Sequence, residues 1–142
     1  MGYYSDVAIG YAFPDEKTAR EVIAVYSMDP QVQKTESRQV WRLSNVDDCT
    51  LLFCKFDGVK WYSDYLDVQA INHMQDVVAN FAGEREGFAY AYRFVRIGED
   101  FDDVEIEEHA SDNDYYALAQ ELWDRIDPVR YIEVTFPKGE KL

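Results

Sequence analysis

Apolar and polar positions change period several times along the chain, and each change marks an element. Val7, Ile9, Tyr11 and Phe13 alternate with small or polar residues, which predicts a strand with one buried face. After Pro14, Asp15 supplies a cap, and Ala19, Val22, Ile23 and Tyr26 recur at helical spacing. That helix ends near Met28, because Asp29 precedes Pro30 and is pushed out of the helical region; Pro30 then opens one further short turn. Period two returns at Gln39–Leu43 and Thr50–Phe56, separated by the turn chemistry of Asn45 to Asp48. Asp57-Gly58 reads as a two-residue hairpin leading into Val59–Tyr62, a register that sets Lys55 opposite Lys60.

Ser63 or Asp64 caps a second helix, whose stripe is Leu66, Ala70, Met74, Val77, Val78 and Phe81 and whose end is Gly83. A strand over Phe88–Ile97 follows. One of its faces shows Phe88, Tyr90, Tyr92 and Phe94, the other Ala89, Ala91, Arg93 and Val95, and periodicity leaves both open as the core. Val104 and Ile106 then alternate with Asp103, Glu105 and Glu107, the pattern of another strand. Ser111, with Asp114 three residues on, opens a helix of Tyr115, Leu118, Ala119, Leu122 and Ile126 that Pro128 ends. Tyr131–Phe136 forms a last strand, and residues 136–142 a loose tail. The order predicts one α+β domain over residues 1–142, an antiparallel sheet with three helices packed on one face. Its core resembles the ferredoxin-like βαββαβ plan, extended by a hairpin, a helix and a C-terminal strand.

Charge changes this picture most. The chain of 142 residues carries 28 acidic against 14 basic residues, a formal net charge of -14. That balance argues against direct contact with nucleic-acid phosphates or an anionic membrane, and favours a cationic partner. Hydrophobic residues make up 47% of the chain and aromatics 15%, enough for a packed core. No secretory signal or membrane-length apolar run is visible, so a cytoplasmic protein is expected. Cys49 and Cys54 lack a second pair to complete a zinc site and read as reduced thiols.

The acidity is concentrated. Residues 98–114, GEDFDDVEIEEHASDND, carry nine carboxylates and no lysine or arginine. A calcium loop is excluded by Glu105 and Ser111 at the sixth and twelfth positions counted from Asp100, where glycine and glutamate are required. Paired carboxylates about 5 to 9.5 Å apart would suit glycoside cleavage, but no basic residue in the region holds one of them ionised. His73 and His109 belong to no nucleophile motif with the cysteines, and no glycine-rich phosphate loop is present. The expectation is therefore of no catalytic residues, no metal and no cofactor. Asp112 and Asp114 have a structural reason at a helix start. Glu99, Asp100, Asp102, Asp103, Glu105 and Glu107 lack one and are the candidate partner-binding residues. Side chains on one strand face repeat about every 6.6 to 6.8 Å, so Asp103, Glu105 and Glu107 form a regular negative row. Arg93 and Arg96 have opposite parity on the preceding strand, so only one of them lies beside that row.

The opening MGYYSDVAI and the segment FVRIGEDFDDVEIEE resemble small uncharacterised acidic proteins encoded by phages and prophages. The resemblance covers these two segments and brings no activity or binding residues with it. It implies an accessory protein acting on host machinery or host defence. The sequence thus predicts a non-catalytic inhibitor that occupies the basic groove of a nucleic-acid-handling protein, in the manner of a nucleic-acid mimic. Two alternatives stand beside it: an immunity-type protein neutralising a cationic nuclease toxin, and a small-ligand-binding protein or enzyme with a pocket beneath the aromatic strand.

Overall fold

The computed structural model describes residues 3–35, 41–46, 48–100, 102–111, 116–128, 132–134 and 139–142. The first strand, β1, spans Ser5–Phe13, and two helices follow, α1 over Glu16–Tyr26 and α2 over Pro30–Thr35. Asp15 caps α1 by accepting from the Thr18 backbone N–H at 2.8 Å, and the same bonds hold its carboxyl below the usual range. Asp29 does the equivalent for α2 through Gln31 and Val32. Then come β2 (Arg42–Val46), β3 (Cys49–Val59), α3 (Leu66–Glu84), β4 (Ala91–Ile97) and β5 (Val104–Ala110). The chain finishes with α4 (Tyr116–Trp123), β6 (Ile126–Pro128), β7 (Ile132–Val134) and β8 (Glu140–Lys141).

Six strands form one antiparallel sheet in the order β5-β4-β1-β3-β2-β8. Its inner four, β4-β1-β3-β2, follow the ferredoxin-like order, so the α+β expectation holds. The additions differ from those expected. Among the described residues there are four helices, α2 being the extra one, and they cover both faces of the sheet. The reason is the composition of β1. Val7, Ile9, Tyr11 and Phe13 pack with Ala19, Val22 and Met74 from α1 and α3 on one side, while Ala8 and Ala12 leave room on the other for α4 and Ile126. Both faces of the Phe88–Ile97 segment are consequently core: Tyr92 and Phe94 join the first layer, Ala91 and Val95 the second.

Three local expectations are corrected. Asp57-Gly58 makes no hairpin, because β3 runs through it, and the pairings Val7↔Phe56 and Ser5↔Val59 put one extra residue on β3. The segment is a bulge: Gly58 takes φ +62, and its N–H donates to the Asp6 carboxylate at 2.8 Å. Lys55 therefore meets Asp57 at 2.8 Å, and Lys60 lies over the Tyr4 ring. The start of α3 falls at Tyr65, which takes the N-cap position, and Leu66 stays exposed while the rest of the expected stripe is buried. In the C-terminal part, β7 pairs with β6 in a separate two-stranded ladder. The tail instead supplies an edge strand, with Glu140 and Lys141 opposite Leu43 and Arg42 and an Arg20–Glu140 pair at 2.9 Å. Residues 36–40 and 112–115, including Gln39, Asp112, Asp114 and Tyr115, lie outside the described residues, as do Tyr131 and Phe136.

Candidate functional site

The acidic stretch begins at the turn between β4 and β5. The Gly98 N–H donates to the Asp103 carbonyl at 2.8 Å, closing the turn. A Cβ at position 98 would stand 2.1 Å from the Asp103 carboxylate and 2.3 Å from the Tyr3 hydroxyl, so any other residue there would have to displace the Tyr3–Asp103 bond. Tyr3 is the tie that crowds it. Its hydroxyl donates to Asp103 Oδ2 at 2.6 Å and accepts from the Asp100 N–H at 3.0 Å, while its own N–H donates to the Tyr62 hydroxyl. Glu99 joins the same junction by accepting from the Tyr4 N–H at 2.8 Å.

β5 is an edge strand, and all seven of its residues are exposed. Its register with β4 sets Glu105 opposite Arg96, Glu107 opposite Phe94 and His109 opposite Tyr92. Asp103, Glu105 and Glu107 thus share the sheet face covered by α3. Arg96 lies along the row, donating to both Asp103 oxygens at 2.8 and 3.1 Å and to Glu105 at 3.0 Å. The Arg96 bonds, with Tyr3 second, hold the Asp103 carboxyl below its usual range, and Asp103 in turn raises the guanidinium pKa. Arg93 projects from the opposite face, where it pairs with Glu108 and sits over the Trp123 ring at 5.2 Å. Two of the row's three carboxylates, Asp103 and Glu105, therefore share one guanidinium, Glu107 is bonded only to the Tyr92 hydroxyl, and the row keeps a net negative charge. Asp100 and Asp102 extend it, exposed, at the turn.

The row is the rim of a cleft rather than part of an open face. A space of about 600 Å³ lies between β4–β5 and α3, with Phe94 and Arg96 beneath it and Glu105 and Glu107 along one side. Val68, Asn72 and Gln75 form the α3 side, and Trp61 and Tyr62 close one end. Trp61 is set by contacts with Phe56 and Phe94, at ring separations of 6.1 and 6.0 Å. Gln75 donates to the Tyr92 hydroxyl, which reaches Glu107 at 3.3 Å, so the α3 wall and the acidic rim are connected by hydrogen bonds.

A cleft combining carboxylates with the half-buried rings of Trp61 and Tyr62 suits a cationic group: charge attracts it and the rings contact its apolar stem. Among the described residues, no group of three or more His, Cys, Asp and Glu side chains is placed to hold a metal ion. Cys49 and Cys54 are free and buried on opposite sheet faces, and burial pushes the Cys49 thiol up to about 11, away from nucleophilic chemistry. His73 stands between Asp29 at 3.4 Å and Asp76 at 3.8 Å, stacked on Tyr26.

All six acids singled out from sequence lie along one turn and edge strand, but four of them have internal partners, Glu107 through the Tyr92 hydroxyl and the other three as follows. Asp103 is a structural anchor, Glu105 is held by Arg96, and Glu99 by Tyr4. Trp61, Tyr62, Gln75 and Phe94 were not anticipated as part of the site. The aromatic density of WYSDY between β3 and α3 was the available signal. No family model matches the chain, and no curated protein or solved structure matches it.

Proposed function

We propose that the protein is a non-catalytic interaction protein whose acidic edge receives a cationic partner, in the place that nucleic-acid phosphates would occupy in that partner's basic groove. The observation that carries the reading is the incompletely compensated row: Asp103 and Glu105 are paired with the single guanidinium of Arg96, Glu107 has no cation beside it among the described residues, and the edge strand that follows Asp103 is exposed along its whole length. A regular line of charge on a rigid strand needs little ordering on binding, so more of the electrostatic attraction remains as affinity. The rings of Trp61 and Tyr62 at the end of the cleft supply the desolvated contact that charge alone lacks. A setting in a phage or prophage, acting on host nucleic-acid-handling or defence proteins, agrees with the resemblance of its two acidic-protein motifs.

The test is affinity capture of basic proteins from a bacterial lysate at low and high salt. Retention of a nucleic-acid-handling protein that salt releases, and that Glu105→Lys with Glu107→Lys no longer retains, supports the reading. Recovery of no cationic protein at either salt concentration overturns it.

A further inference from the structure

Beyond Gln75 the cleft adjoins a second cavity of about 230 Å³. Tyr11 lines it from β1, Gln75 and Asp76 from α3, and Tyr90, Tyr92 and His109 from the segments on the other side. Tyr11 is 1% exposed, and its hydroxyl has no hydrogen-bond partner among the described residues. Rings enclose the rest of the side chain: Tyr92 at 4.9 Å, Trp41 at 6.1 Å and Phe13 at 6.3 Å. A buried hydroxyl left unpaired is destabilising, so its presence beside a cavity is the mark of a group that meets something there.

The lining says what that something is. Tyr11 offers an oxygen that accepts as well as donates, and Asp76 a carboxylate. Gln75, whose amide nitrogen is engaged by Tyr92, keeps its carbonyl oxygen as an acceptor. Tyr90 and Tyr92 contribute ring faces, with His109 stacked on Tyr92 at 5.8 Å, and among the described residues neither lysine nor arginine lines the space. Acceptors around aromatic faces, with no cation present, match a planar donor-rich cation. We infer that the Tyr11 cavity binds a guanidinium group, with the Tyr11 hydroxyl accepting one of its N–H bonds, Tyr90 and Tyr92 flanking its plane and Asp76 balancing its charge. The inference rests on the proposed cationic-partner reading for the sign of the ligand's charge. Its source is either an arginine side chain of that partner or a free guanidine compound.

Titration of the full chain with ethylguanidinium, followed by tyrosine ring resonances, tests it. The expected result is saturable shifts at Tyr11, Tyr90 and Tyr92, with neutral N-ethylurea binding at least tenfold more weakly. Tyr11→Phe, which keeps the ring and removes the hydroxyl, is expected to weaken ethylguanidinium at least tenfold with the fold retained. A basic peptide producing the same shifts only when it contains arginine assigns the source to a protein side chain, and no shifts with that peptide assigns it to a free guanidine compound. Absence of saturable shifts with ethylguanidinium, equal binding of N-ethylurea, or unchanged binding by Tyr11→Phe overturns the inference and leaves water as the cavity's occupant. Salt-sensitive capture of a basic protein without ethylguanidinium binding would remove this inference alone. Ethylguanidinium binding without such capture would remove the broader reading alone.

Discussion

Asp103 and Glu107 sit on the same face of the acidic strand and do different work. Asp103 is bonded to Arg96 through both oxygens and to Tyr3, so it ties the N-terminal segment to the β4–β5 turn. Glu107 has only the Tyr92 hydroxyl at 3.3 Å in the internal network, and its charge is free for a partner. Because the folded state holds the Asp103 carboxyl below its ordinary value of 3.8, the stabilisation is present above that value and is lost as pH falls through the lower folded-state pKa. Asp103→Asn is therefore expected to loosen the Tyr3 junction at neutral pH and to remove part of the stability change below pH 3.8, as followed by Tyr3 fluorescence or amide exchange across an acid titration. An acid transition identical in wild type and variant would show that the junction does not depend on the carboxylate's charge. Tyr11 gives the opposite kind of prediction. Since its hydroxyl is buried without a partner, Tyr11→Phe is expected to gain about 1 kcal/mol in urea unfolding, and a loss of that size would mean the hydroxyl is bonded after all.

At the scale of elements, the main strands and helices were legible because their burial obeys simple periods. Val7, Ile9, Tyr11 and Phe13 all face the α1–α3 layer, and Ala70, Met74, Val77, Val78 and Phe81 all lie beneath α3. The second layer was less legible. A strand buried on both faces has no polar face to give it away, and the small residues Ala8 and Ala12 resemble an exposed face until α4 is placed on them. Asp57-Gly58 misled for a related reason: positive φ at Gly58 serves a bulge as well as it serves a hairpin, and only the pairing of β3 with β1 decides between them. Gly58→Ala is expected to cost about 1–2 kcal/mol from the backbone conformation, since a Cβ there meets nothing within 4 Å. Leu122 tests the second layer. It is fully buried between α4 and the sheet, so Leu122→Ala is expected to cost about 2–5 kcal/mol in chemical unfolding. A cost below about 0.5 kcal/mol would mean that α4 is not packed there.

For the whole molecule, net charge and its placement are separate facts. A formal charge of -14 opposes self-association whatever its placement, and it was readable at once. The parity of Arg93 and Arg96 was also readable, and it is what leaves three carboxylates beside a single guanidinium, which pairs with two of them, on the α3 side of the sheet. The cleft was not readable, because it depends on how Trp61 and Tyr62, from the loop before α3, approach a strand more than thirty residues later. The central claim is that this row, and not the diffuse charge of the molecule, binds the partner. The most direct measurement is the salt dependence of affinity for the captured basic protein, compared between wild type, Glu105→Lys with Glu107→Lys, and a control reversal of equal charge at Glu84 and Glu86, exposed residues that line neither the cleft nor the second cavity. The account predicts that the row reversal weakens binding at least a hundredfold and flattens its salt dependence, while the control changes affinity less than threefold. Equal weakening by both variants would contradict it, because the attraction would then belong to net charge alone.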